Sequence, residues 1–121
     1  METKNILIVD DSPANLKLLR LLLAGEGHSV QTATSAEDAL EVLSSFKPDA
    51  ILMDVQMPGM NGLDLTRLIK QDSRTSGISV LAVSANAMET DIQQAREAGC
   101  AGYITKPIDS RRFASTVREY L

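Results

Sequence analysis

The chain has no tryptophan, and only two phenylalanines and two tyrosines among its 121 residues. So few aromatic faces leave little with which to sandwich a flavin or stack a nucleic-acid base. A single cysteine excludes an internal disulfide and predicts a reducing compartment. Basic residues number 12 against 16 acidic ones, for a net charge of −4. A surface that grips nucleic acid shows the opposite excess, so no nucleic-acid partner is expected. Long hydrophobic runs are missing too. The first, Ile6 to Val9, falls far short of a signal h-region or a membrane span. The composition therefore predicts a cytoplasmic protein with no membrane partner. Its length suits one domain, residues 1–121, large enough to bury a core without staples.

Short aliphatic runs alternate with segments of helical period. Asn5-Ile6-Leu7-Ile8-Val9 is continuously apolar, as a strand buried on both faces must be. Ser12-Pro13 starts a helix that Gly25 or Gly27 ends. Ser29–Ala33 reads as a second strand and Ser35 to Phe46 as a helix closed by Lys47-Pro48. Ala50–Met53 is a third strand, with a loop over 54–62 and a helix running on to Gln71. Ile78–Val83, a helix over Ala87–Ala98 stopped by Gly99, and a strand over Gly102–Ile104 follow. Asp109 caps a last helix that reaches Leu121. Five strands alternating with five helices predict an α/β fold, a parallel sheet covered on both faces. Ligands of such a sheet bind at the carboxyl ends of its strands.

The residues placed there carry the chemistry. Asp10 and Asp11 follow the first strand, Asp54 the third, Ser84 the fourth, and Thr105-Lys106-Pro107 the fifth. Carboxylates brought this close repel one another and have raised pKa values unless a cation joins them. Hard oxygen ligands with open positions suit Mg²⁺, which retains water and shares phosphate oxygens. Lys106 adds a point positive charge for an anion beside the metal. Phosphoryl transfer needs such an inventory, because it depends on positioning and charge neutralisation. An aspartate can itself be the covalent acceptor.

In order and spacing, these residues resemble the receiver domain of two-component response regulators, closest to single-domain and hybrid-kinase-type receivers. The resemblance runs from Ile6-Leu7-Ile8-Val9-Asp10-Asp11 through Met53-Asp54 and Met57-Pro58-Gly59-Met60-Asn61-Gly62 to Thr105-Lys106-Pro107. It implies a flavodoxin-like three-layer (βα)5 fold with strand order 2-1-3-4-5, and a phosphorylation-dependent switch. Asp54 would be the phosphoacceptor. Asp11, Asp54 and the backbone carbonyl of Gln56 would ligate Mg²⁺ directly, and Asp10 through water. Lys106 would contact the phosphoryl oxygens. Ser84 would move to bond the phosphoryl group, and Tyr103 would turn into the space vacated. The donor would be a histidine kinase or histidine phosphotransfer protein, and the output a downstream protein target. Self-catalysed phosphotransfer and slow autodephosphorylation would be its whole chemistry. The resemblance also implies a cis Lys106-Pro107 bond. Ser84 departs from the usual Thr, and Asn61 from a frequent Asp. Gln56 and Asn86 flank the route of an attacking water, where they would set the lifetime of the phosphorylated state.

Plainer readings stand beside these. Taken alone, Asp10 and Asp11 serve equally as a turn and a helix cap. Cys100 reads as an inert buried thiol, His28 as a surface or packing residue, and Tyr103 as half-buried core. On the first helix, Leu19, Leu22 and Leu23 form the core face, while Leu18 and Leu21 lie at its edge. That edge serves a partner or ordinary burial against the next helix. An aspartate-nucleophile phosphatase would need Asp-x-Asp on one loop, which the adjacent Asp10-Asp11 do not supply. A flavodoxin-like carrier would need a hydroxyl-rich loop after the first strand. A degenerate receiver used only for docking would have lost site positions, and here all are filled.

Overall fold

The structure is a computed structural model described for residues 3–121; Met1 and Glu2 of the expected 1–121 domain lie outside the described residues. The elements are β1 (Asn5–Val9), α1 (Pro13–Ala24), β2 (Ser29–Ala33), α2 (Ala36–Leu43), β3 (Ala50–Asp54), α3 (Gly62–Gln71), β4 (Ser79–Ser84), α4 (Glu89–Ala98), β5 (Gly102–Thr105) and α5 (Phe113–Arg118). All strands pair in parallel, in the order β2-β1-β3-β4-β5. The order reverses between β1 and β3, so the carboxyl ends of these two strands flank the natural ligand crevice.

The continuous apolar runs divide between two faces with period two. Leu7, Val9, Ile51, Met53, Val80 and Ala82 join the core beneath α2, α3 and α4. Their neighbours Ile6, Ile8, Leu52, Leu81 and Val83 join the core beneath α1 and α5. Two half-cores on one sheet explain why the central strands show no polar alternation. Among the described residues, no helix is long and apolar enough to cross a membrane.

Caps fix the helix starts. Ser12, Ser35 and Asn61 accept the backbone N–H of Asn15, Asp38 and Asp64 respectively. The ends of several elements differ from the sequence reading. Residue 54 belongs to β3 and is not a loop residue, because it pairs in register with Val83 and the Val55 N–H continues the ladder to Val83 O. In the same way β4 extends to Ser84 and β5 to Thr105, joined by the Lys106 N–H to Ser84 O. α2 stops at Leu43, since Ser44 and Ser45 bond three residues back and tighten the last turn. α4 begins at Glu89, where the Asp91 carboxylate reaches back to the Met88 N–H.

The last helix departs most. Asp109 does not cap α5; its Oδ1 accepts the Arg111 N–H in a turn that precedes the helix. Beyond Arg118 the chain tightens, and the Tyr120 ring covers Gly102 on the edge strand so closely that a Cβ there would lie 2.5 Å from Cζ. On α1, Leu16, Leu19 and Leu23 are the buried set; Leu22 is half-buried near Val30. Leu18 and Leu21 are 39% and 63% exposed. His28 Nδ1 accepts the Lys4 N–H, pinning the start of β1. The Cys100 thiol is buried beside Thr66, and burial pushes its pKa up, as an inert thiol requires.

Candidate functional site

The carboxyl ends of β1, β3, β4 and β5 bring the predicted residues together. Ligand oxygens of Asp10, Asp11 and Asp54 all lie within 4.8 Å of one another. Asp10 and Asp54 are 1% and 2% exposed, whereas Asp11 faces solvent. Such a mixture, two buried carboxylates and one exposed, all hard oxygens, suits a hydrated cation entering from outside. Lys106 Nζ stands 3.5 Å from Asp10 Oδ2 and 3.5 Å from Asp54 Oδ1. The Lys106-Pro107 bond that leads away from it is cis.

Asp54 is held on one side. Its Oδ1 accepts the Gln56 N–H at 3.2 Å and faces Lys106, while Oδ2 accepts no hydrogen bond from the described residues. Burial pushes its carboxyl from an ordinary 3.8 up to about 6, and the Asp10 charge adds to the rise. Lys106 and the Gln56 N–H oppose it and do not cancel it. A buried carboxylate with one bare oxygen, short of positive charge, fits the cation that the sequence predicts, and Lys106 is the group there that an anion would meet.

Ser84 is fully buried, its Oγ accepting the Asn86 N–H at 3.1 Å. Tyr103, half-buried on β5, donates its hydroxyl to the Asn86 carbonyl. Ser84 and Tyr103 therefore hold opposite ends of one residue, a coupling that sequence spacing alone does not reveal. Gln56 reaches the site with its backbone N–H on Asp54.

Three contributors were not anticipated from the sequence. The Ser12 N–H donates to Asp10 Oδ1 at 2.9 Å, and Asn15 Nδ2 lies 3.5 Å from Asp10 Oδ2. A signal for Asn15 was present, since it is the third residue of a helix starting at Pro13. A side chain at that position points back over the cap. Gly62 is the third. A Cβ there would stand 2.1 Å from Asp54 O, so α3 enters directly against the backbone of the site.

With this geometry established, known proteins offer a comparison. Residues 6–118 match the family described as "Response regulator receiver domain". The chain is 40% identical over 119 residues to the polar-differentiation response regulator DivK of Brucella ovis, covering 98% of this chain and 97% of that protein. Its fold matches chemotaxis protein CheY4 of Vibrio cholerae with a TM-score of 0.94, covering 99% of this chain and 100% of that one, at 24% identity. A putative response regulator from Chloroflexus aurantiacus gives a TM-score of 0.92 at 30% identity, covering 98% of each chain.

Proposed function

This chain belongs to the response regulator receiver domain family of two-component systems, and we propose that its residues 1–121 act as one receiver taking a phosphoryl group onto Asp54. The family signals by phosphorylation, as phosphoacceptor switches that differ from enzymes with turnover. The observation that carries the assignment to Asp54 is its asymmetric setting. One carboxylate oxygen is fixed by Gln56 and Lys106, and the other accepts nothing from the described residues, inside a cluster of three carboxylates.

The bare Oδ2 attacks phosphorus and forms the new P–O bond. The bond from phosphorus to the donor's imidazole nitrogen breaks, and its electron pair returns to that ring. The donor is a histidine kinase or a histidine phosphotransfer protein. Asp11, Asp54 and the Gln56 carbonyl would hold Mg²⁺ directly, with Asp10 acting through water. The bound cation would offset the charge gathering on the phosphoryl oxygens. Lys106, already beside Asp54, turns to those oxygens as a second positive charge. Slow loss of the group to water, past Gln56 and Asn86, resets the switch.

The output is a change of surface read by another protein in the cytoplasm. Ser84 moves to donate to the phosphoryl group, its Oγ tied to the Asn86 N–H, and Tyr103 holds the other side of that residue. Moving the first therefore loads the second, and Tyr103 turns into the space vacated. A shift of this kind needs the phosphorylated state to favour one of two arrangements by a few kcal/mol.

The direct test is mass spectrometry after incubation with acetyl phosphate and Mg²⁺. One added phosphoryl group, lost in Asp54→Asn, is the expected result. Modification surviving in that variant, on a serine or on His28, overturns the assignment.

A further inference from the structure

Asp10 is almost fully buried and has three partners. Its Oδ1 accepts the Ser12 N–H, and its Oδ2 lies 3.5 Å from both Asn15 Nδ2 and Lys106 Nζ. Lys106 stands equally far from Asp54 Oδ1. When Asp54 carries a phosphoryl group, the ammonium is drawn to the new oxygens and Asp10 loses its direct cationic partner, since the Mg²⁺ of the proposed site would reach it only through water. A buried carboxylate stripped of its partner is costly unless another donor holds it. Asn15 is placed to be that donor. Its amide is neutral, so the added phosphoryl charge does not pull it away. It is also anchored independently of its side chain, because the Ser12 cap bonds its backbone N–H.

We propose that Asn15 is a positioning residue for phosphoryl uptake: its amide holds Asp10 Oδ2 and so frees Lys106 to follow the phosphoryl group on Asp54. The inference rests on the reading of Asp54 as acceptor. Without the amide, Lys106 remains the sole side-chain donor to Asp10 Oδ2 among the described residues, and each transfer must first break that pair.

The test follows acetyl phosphate uptake by the full chain with Mg²⁺ in the wild type, Asn15→Leu and Asn15→Ala. Leucine removes the donor and keeps water out, so uptake slows by roughly tenfold. Alanine admits a water in the donor's place and slows it less. Mg²⁺ affinity, read from amide shifts before any donor is added, is unchanged, since Lys106 still holds Asp10 in that state. Adding Asn15→Leu to Lys106→Ala slows uptake no further, because no ammonium remains to be released.

A side chain that merely supported the helix would weaken Mg²⁺ binding too, and its loss would add to that of Lys106→Ala. Either outcome overturns the inference. If Asn15→Leu does not fold, Asn15→Ala carries the same comparison, alanine being a good helix former at this turn. Modification that persists in Asp54→Asn overturns both readings. Uptake specific to Asp54, with Asn15→Leu at the wild-type rate, overturns this one alone.

Discussion

Two lysines mark the two ends of the sheet, and they are held on different terms. At the amino end, Lys70 Nζ donates to the carbonyls of Ser76 and Ile78, while its stem lies against Gly99 at the end of α4. The groups around it are likewise committed. Asp49 accepts the Asn5 N–H, and Thr75 Oγ1 donates to Ile69 O. A hollow of ≈ 710 Å³ opens there between α2 and α3, its lining including Leu40, Leu43, Phe46 and Leu68. At the carboxyl end Lys106 is shared between two carboxylates at 3.5 Å from each, in a site where Asp54 keeps one oxygen bare. Around the hollow Lys70, Asp49 and Thr75 are hydrogen-bonded, whereas at the carboxyl end the charge of the carboxylates is uncompensated. Perturbed charge, more than open volume, is what singles out the proposed site at the carboxyl end.

A glycine at each end offers the sharpest test of that difference. Gly62→Ala would drive a Cβ to 2.1 Å from Asp54 O, against backbone that cannot turn aside. Urea unfolding should show a loss of about 3 kcal/mol or more, together with impaired phosphoryl uptake. Gly77 lies beside the amino-end hollow, and a Cβ added there would meet nothing within 4 Å, so Gly77→Ala should be nearly neutral. Equal losses at the two sites would break the comparison.

Neutralising Asp54 should have the next largest effect, with the opposite sign. Its folded pKa, about 6, lies above the ordinary 3.8, so the native state holds a proton that the unfolded chain has released. Stability from this group is therefore present below pH 4, falls as pH rises through the window from 3.8 to about 6, and stays lost above it. Without Mg²⁺, Asp54→Asn should be more stable than wild type at pH 7 to 8 by up to about 3 kcal/mol. The advantage should vanish near pH 3. Adding Mg²⁺ should stabilise the wild type selectively and narrow the gap. A variant less stable than wild type at neutral pH would mean that Lys106 outweighs the burial of Asp54.

Lys70→Met keeps the stem and removes the donors at the amino end. The expected cost is about 1–2 kcal/mol by thermal or urea unfolding, with phosphoryl uptake by acetyl phosphate unchanged. A fall in uptake as large as that of Lys106→Met would erase the distinction between the two ends.

The parallel sheet was legible in the sequence because its strands rest on local signals, whereas the strand order came only with the resemblance to receiver domains. Four-residue apolar runs mark buried strands, and the acidic pair and Asp54 each follow one, while Lys106 follows the mixed edge strand Gly102–Thr105. Element ends were less legible, because pairing decides them. Asp54 and Ser84 read as loop residues until the partner strand showed them still in register. The short last helix was hidden for a similar reason, since its end depends on Tyr120 meeting Gly102, 18 positions away in sequence. Contacts within the site were the least visible. The hold on Asn86 from Ser84 and Tyr103 joins two strands and a loop, and no spacing encodes it.

Within the carboxyl end, Asp10 and Asp11 differ as the two ends of the sheet do, and the smallest expected effect tests that difference. Asp10 is buried and bonded by Ser12, Asn15 and Lys106. Asp11 is adjacent in sequence yet exposed, and its carboxylate takes no hydrogen bond or ion pair from the described residues. An exposed carboxylate outside any pair adds little to the metal-free fold, so Asp11→Asn should change its stability by less than about 0.5 kcal/mol. The same substitution removes a ligand from the proposed cation site, and the stabilisation that Mg²⁺ gives the wild type should disappear. Asp10→Asn should do the reverse. It disturbs a bonded, buried group and destabilises the metal-free protein, while part of the Mg²⁺ response remains because its contact runs through water. Thermal melts of the three proteins with and without Mg²⁺ give both quantities at once. If Asp11→Asn keeps the full Mg²⁺ response and Asp10→Asn loses it, the inner ligand is the buried residue, and the assignment of the pair must be exchanged.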